Sequence, residues 1–258
     1  MTLFDESVGP SRCRLVVAYD GTGFHGFAEQ PNVRTVAGAL RRALEKVTRS
    51  ELQLACAGRT DTGVHAWGQV VAFDAPPGLD PWRVQSALNG VLSPEIVVRA
   101  ADIVDASFEP RRAHWRTYRY TILNRPVPDP FLARYSWWVP EKLDLKLLRL
   151  AADPFLGEHD FAAFCRKGQE GTTTTRRVLE SCWEDRGDGV LVYQVRAISF
   201  CWQMVRSMVG TLVEVGHART RPGDIMTILR TRDRAAAGQV APPHGLCLWE
   251  VGYAGSTR

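Results

Sequence analysis

Apolar and polar positions alternate from Arg12 to Tyr19 (RCRLVVAY), a β-branched run that ends in the turn cluster Asp20-Gly21-Thr22-Gly23, and this predicts a strand. The period then changes. Thr35 stands as an N-cap before VAGALRRALEKV, in which Val36, Leu40, Leu44 and Val47 share one helical face and the basic residues occupy the other. Glu51 to Ala57 and Gln69 to Phe73 read as strands flanking a polar loop, GRTDTGVHAWG. Asp80-Pro81 is a cap followed by proline at the first helical position, opening a helix that runs through WRVQSALN to Asn89, and Glu95 to Val104 returns as a strand. The order is β-α-β-β-α-β, the ferredoxin-like split unit.

A similar order follows with additions. His114 to Leu123 (HWRTYRYTIL) alternates as a strand, and a proline-rich connection, NRPVPDPF, leads to a short strand at Tyr135 to Val139. Asp144 to Ala152 has helical spacing. Arg176 to Glu184 and Val190 to Ile198 bracket Arg186-Gly187-Asp188-Gly189, a hairpin signal. Phe200 to Val215 is a long apolar helix, Asp224 to Arg230 a shorter one, and Leu246 to Tyr253 a closing strand. The pattern therefore predicts an α/β (α+β) fold of two ferredoxin-like, RRM-like halves, residues 1–107 and 108–258. Each half has a largely antiparallel sheet flanked by helices, with a cleft between them.

Composition narrows the class. With 258 residues, 45% hydrophobic and 23% charged, the chain is globular, and no apolar run reaches the roughly 20 residues of a membrane helix. The opening MTLFDESVGPSRC carries acids and no apolar h-region, so export is not expected and the chain is read as cytoplasmic. The six cysteines are scattered without a C-x-x-C pair, which argues for reduced, structural thiols rather than a disulfide framework or a zinc site. A net charge of +4 permits an anionic partner. Only Lys46, Lys142, Lys146 and Lys167 are lysines, so arginine supplies nearly all the positive charge; that suits phosphate and base stacking, and equally follows from an arginine-favouring codon usage.

The densest polar loop, Gly58-Arg59-Thr60-Asp61-Thr62-Gly63-Val64-His65, lies between two strands. By itself it has two readings. In one, Asp61 is an ionised carboxylate presented on a short connection, with Arg59 at hand for an anionic ligand. In the other, Asp61 closes an Asx turn and His65 is an ordinary hydrogen-bonded side chain. Arg206 likewise falls on a polar helix face with Gln203, Ser207 and Glu214, which an exposed face alone explains.

As a connected string, GRTDTGVHAWGQVVAF resembles the active-site segment of the tRNA pseudouridine synthase A family, GRTD-x-GVHA-x-GQ. YDGTGFHGF at Tyr19 to Phe27 is similar to the family's opening motif, with Phe27 where Trp is usual and Ala28 where Gln is common. ALNGVLSPEI, RTYRYTILN, GEHDFAAF, FCWQMVRSMVGTLVEVG and APPHGLCLWEV follow in family order, so the likeness spans nearly all of residues 15 to 253. It implies that Asp61 is the nucleophile, that Arg206 pairs with it and that Tyr118 lies against the target uracil. It implies RNA contacts for Arg59, which enters where the base is flipped out, and for His65, Gln69, Phe108 and Arg111. Phe108 and Arg111 match the start of an FHAR segment, in which Glu109 and Pro110 replace the usual His and Ala, and the stretch to Tyr118 is one residue shorter. The basic loop from Arg166 and Lys167 to Arg177 reads either as a mobile phosphate-binding segment or as a solvated one.

The resemblance further implies a homodimer embracing the anticodon arm of tRNA, converting uridines 38, 39 and 40 to pseudouridine. That reaction consumes no group and changes no redox state, so neither cofactor nor metal is expected, in keeping with the lack of a P-loop, a dinucleotide fingerprint or metal-ligand spacing in the sequence. Two rivals stand beside it. A noncatalytic RNA-binding protein of two RRM-like units fits the element order but lacks the aromatic RNP strands and leaves GRTD unexplained. An acid–base hydrolase using Asp61 and His65 lacks a second matched carboxylate in the loop.

Overall fold

The computed structural model describes residues 11–166 and 172–253. The first unit runs β1 (Ser11–Tyr19), α1 (Val36–Thr48), β2 (Ala55–Cys56), β3 (His65–Asp74), α2 (Pro81–Leu92) and β4 (Ile96–Asp105). Thr35 caps α1 by accepting from the Gly38 N–H, and Asp80 caps α2 by accepting from Trp82 and Arg83, with Pro81 in the first turn where no N–H is needed. Val36, Leu40 and Leu44 of α1 and Val84 and Leu88 of α2 form one cluster with Cys13, Leu15 and Val17 of β1 and Val71 and Phe73 of β3. β1 is antiparallel to both β4 and β3, and β2 adds to β3, giving the order β4-β1-β3-β2.

The second unit repeats this arrangement with other residues. β5 (Trp115–Leu123), α3 (Leu145–Ala152), β8 (Thr175–Asp185), β9 (Val190–Ala197), α4 (Met204–Gly216) and β10 (Leu246–Gly252) give the strand order β10-β5-β9-β8. The additions are β6 (Trp137–Trp138) beside β5, β7 (Gly157–Asp160) beside β8, and α5 (Asp224–Thr231). The β8–β9 hairpin turns through Gly187, Asp188 and Gly189, all at positive φ, as the Gly-Asp-Gly signal requires.

The two sheets are not separate. β10 pairs antiparallel with β5 and parallel with β3, through Cys247–His65 and Leu248–Ala66, so among the described residues they join edge to edge into one sheet of ten strands. Leu248 belongs to the first hydrophobic cluster and Leu246 to the second. Residues two apart on a strand share a face, so both helix layers cover the same side of the sheet. A seam is left between the layers, and Tyr118, opposite Leu248, packs against both clusters.

Several elements differ from the sequence expectation: β3 begins at His65 rather than Gln69, and the strand expected over Tyr135 to Val139 shortens to Trp137–Trp138. The strand expected over Glu51 to Ala57 shortens to Ala55–Cys56, because Leu52 and Leu54 turn into the cluster as packing groups. The long helix begins at Met204 rather than Phe200, since Gln203 adopts a left-handed φ of 61° immediately before it. Gly157–Asp160, read as loop, pairs with Thr175 to Val178 at the sheet edge.

Candidate active site

The GRTD loop is held from below by groups that cannot reach solvent. A Cβ on Gly21 would lie 2.1 Å from the Val64 carbonyl oxygen, and one on Gly26, at φ +83°, 2.9 Å from that of Thr60. Only glycine permits that approach, which is why the opening motif and the loop occur together. The Phe27 N–H donates to the Thr60 carbonyl at 3.1 Å, and the Thr60 and Tyr19 hydroxyls share a 2.7 Å hydrogen bond. Phe27 itself is a core residue, 2% exposed.

Gln69 is fully buried and clamps Gly58, accepting from its N–H at 3.3 Å and donating to its carbonyl at 2.6 Å. Arg116 donates to the Ala57 carbonyl from two nitrogens, at 3.2 and 2.9 Å, and also to the carbonyls of Arg111, Ala113 and Ile198. His65 is buried: its Nδ1 lies 3.0 Å from the Gly21 N, and its Nε2 2.9 and 3.1 Å from the carbonyls of Arg134 and His244. His65 and Gln69, for which RNA contacts are expected, are both engaged within the chain beneath the loop.

Above them opens a cleft of about 790 Å³, walled by residues 56 to 61, Arg111, Arg116, Tyr118 and residues 199 to 206. Asp61 is the one acidic residue on its wall among the described residues. Its Oδ2 lies 3.3 Å from Nη1 of Arg206, whose Nε donates to the Ala241 carbonyl at 2.7 Å and fixes the guanidinium. Its Oδ1 accepts from the Trp202 indole N–H at 3.0 Å. A carboxylate with a cation and a neutral donor on opposite oxygens is held in one orientation.

Tyr118 completes the floor, its ring edge-on to Phe200 at 5.0 Å. Burial first, and the charge of Asp61 in addition, push its hydroxyl above the usual tyrosine range against the opposing pull of Arg116, so it stays protonated at neutral pH. Arg59 lines the cleft exposed, and among the described residues its guanidinium makes no hydrogen bond or ion pair. Arg111 lines it as well. Arg166 stacks over Trp202 at 4.3 Å, whereas Lys167 lies outside the described residues.

Phe108 is not brought to the cleft; it packs on Tyr253 at 5.0 Å, with the Arg14 guanidinium 5.5 Å from its ring. The neighbouring departures have a local account. Glu109 accepts from the Arg111 N–H and Pro110 opens the single 3-10 turn that follows. The sequence alone shows no sign of a role for Trp202 or Arg116, although Trp202 stands four residues before Arg206 and Arg116 heads the R-x-Y-x-Y strand. The thiol of Cys201, on the cleft wall, donates to the Thr174 carbonyl at 3.7 Å. Among the described residues, no three His, Cys, Asp or Glu side chains are grouped as a metal would need, and no helix is long and apolar enough to cross a membrane.

Two split β-α-β units run together into one sheet, with helices on one face and a cleft at their seam, make the pseudouridine synthase architecture. Comparison with known proteins narrows the class. The family model described as tRNA pseudouridine synthase matches residues 15–111 and 151–254, and the chain belongs to that family. It is 42% identical over 243 residues to tRNA pseudouridine synthase A of Pseudothermotoga lettingae, covering 94% of this chain and 99% of that protein. The same-named protein of Brevibacillus brevis is 44% identical over 245 residues, with 94% and 99% covered, and that of Leifsonia xyli 41% over 265 residues, with 94% and 92%. The chain is accordingly an enzyme of the isomerase class, a tRNA pseudouridine synthase.

Proposed function

We propose that the enzyme converts uridines 38, 39 and 40 of the tRNA anticodon arm to pseudouridine with Asp61 as nucleophile. It works as a homodimer in the cytoplasm, and residues 1–107 carry the catalytic loop while residues 108–258 complete the cleft and the RNA surface. The observation that carries the catalytic assignment is that Asp61 is the sole acidic residue on the cleft wall among the described residues, held between Arg206 and Trp202.

The reaction breaks the bond from N1 of uracil to C1′, turns the base, and forms the bond from C5 to C1′, after which the C5 proton leaves. Asp61 meets the nucleoside as a carboxylate, by attack at C1′, attack at C6, or assistance to a glycal route. Arg206 supplies the fixed cation beside it. Tyr118 offers a ring for the displaced uracil to stack on and a neutral hydroxyl near the reacting carbon. The target must leave its stack, and Arg59, exposed and without a partner among the described residues, is the side chain suited to hold the vacated space. Arg111 and Arg166, with Lys167, bind phosphates and set the register of the stem.

The test is to incubate the purified protein with unmodified tRNA transcripts carrying uridine at only one of positions 38, 39 or 40 and to map pseudouridine in the product. Product at each of these positions and nowhere else is expected. Product confined to another part of the tRNA would overturn the anticodon-arm assignment.

A further inference from the structure

Arg206 is one of two groups on Asp61, and the other is unassigned. The Trp202 indole N–H meets Oδ1 at 3.0 Å, a shorter contact than the 3.3 Å from Arg206 to Oδ2. Trp202 stands two residues before α4 and Arg206 in its first turn, so the start of the helix and the turn leading into it bring one donor to each oxygen of the carboxylate. Trp202 is 48% exposed, so core packing does not set its ring. Two other contacts do: the Arg166 guanidinium stacks over the indole at 4.3 Å, and the Arg166 N–H donates to the Trp202 carbonyl at 3.0 Å. Gln203, next in the chain, takes the left-handed conformation that turns the backbone from Trp202 into the helix.

We propose that Trp202 is a positioning residue for pseudouridine formation, fixing the plane of the Asp61 carboxylate through Oδ1, and that Arg166 holds the indole in place. The inference rests on Asp61 being the nucleophile. An indole N–H only donates and carries no charge, so it neither takes nor supplies a proton in the reaction. What it contributes is direction. With one lone pair of Oδ1 committed to Trp202 and one of Oδ2 to Arg206, the carboxylate is prevented from rotating, and its remaining lone pairs face the cleft where the nucleoside enters.

The test uses two substitutions that separate the donor from the ring. Trp202→Phe keeps an aromatic face for Arg166 and removes the N–H. Trp202→His places Nε2–H where the indole nitrogen stands, since both lie at the same position of a five-membered ring, and removes the bulk. Single-turnover rates and tRNA dissociation constants are measured for both variants and the parent. A lost hydrogen bond to a charged group predicts a rate for Trp202→Phe about ten- to hundredfold below the parent. Its tRNA affinity stays within about threefold, because phosphate contacts carry binding, and Trp202→His keeps a rate within about fivefold of the parent, as expected when the donor is retained.

Trp202→Phe at the parental rate, or Trp202→His as slow as Trp202→Phe, overturns the proposal while the parental rate leaves the nucleophile assignment standing. A rate loss that vanishes at saturating tRNA also overturns it, since that would place Trp202 in binding alone. A parent that makes no pseudouridine overturns both readings together.

Discussion

Replacing Gln69 with leucine isolates the clamp beneath the GRTD loop. The side chains are of similar size and the site is fully buried, so the main change is the loss of two hydrogen bonds to Gly58, at 3.3 and 2.6 Å. Each backbone group left without its partner costs about 1–3 kcal/mol, and because Gly58 is half-buried, water recovers part of that, giving about 2–4 kcal/mol in all. For a chain of this size that is a fall of about 5–15 °C in Tm. Gly58 precedes Asp61 by three residues, so the released loop also misplaces the carboxylate, and a displacement near 1 Å costs about a hundredfold in rate. Urea unfolding reads the first effect as a lower midpoint at unchanged slope, and single-turnover pseudouridine formation reads the second well below the variant's melting range. A midpoint within about 0.5 kcal/mol of the parent, or full activity in a destabilised variant, would refute the claim that Gln69 holds the loop in its working shape.

The two arginines at the site should fail differently. Arg59→Ala removes a side chain with no partner among the described residues and is expected to leave stability within about 0.5 kcal/mol while slowing base flipping; Arg206→Ala breaks the contacts to Asp61 and Ala241 and should lose about 1–3 kcal/mol as well as activity. Equal effects of both on the unfolding midpoint would show one role to be misassigned. tRNA affinity should fall on the order of a thousandfold between 50 and 200 mM salt for about six phosphate contacts, and a flat response in a filter-binding titration would contradict arginine-based phosphate binding. Alkaline pH should unfold the protein. Burial pushes the Cys13 and Cys247 thiols up to about 12 and the Tyr19, Tyr118, Tyr120, Tyr193 and Tyr253 hydroxyls above their usual range. Unfolded thiols and phenols ionise from about 8.5 and 10, so this stabilisation is complete below about 8.5 and is lost as pH rises toward the folded values. A urea midpoint constant to pH 11 would contradict it.

Periodicity carried most of the fold into view because these elements bury one face each. The apolar stripe of α1, the Asp80-Pro81 start of α2 and the Gly-Asp-Gly hairpin are local signals with local causes. The fusion of the sheets had none. It depends on β10 pairing parallel with β3 across most of the chain, through only two residue pairs, and no local pattern encodes a partner at that distance. At the site, the connected string GRTDTGVHA drew attention to Asp61 and Arg59, while Arg206 stood out only through the family likeness, since a polar helix face alone explains it. For His65 and Gln69 the sequence shows a polar side chain beside a loop but not that it points inward to satisfy buried backbone groups. Trp202 was overlooked because an aromatic residue at the head of an apolar helix reads as core, and only the left-handed turn at Gln203 places its indole on the carboxylate.

Asp61, proposed as the nucleophile, has no second carboxylate to replace it on the cleft wall among the described residues. Asp61→Asn keeps the shape and removes the charge, so folding and RNA binding are preserved while nucleophilicity is lost. With tRNA labelled at C5 of the target uridine, a single-turnover assay of this variant should release no label and form no pseudouridine, while its tRNA affinity stays within roughly tenfold of the parent because phosphate contacts dominate binding. Pseudouridine formed by Asp61→Asn at a rate comparable to the parent would contradict the assignment.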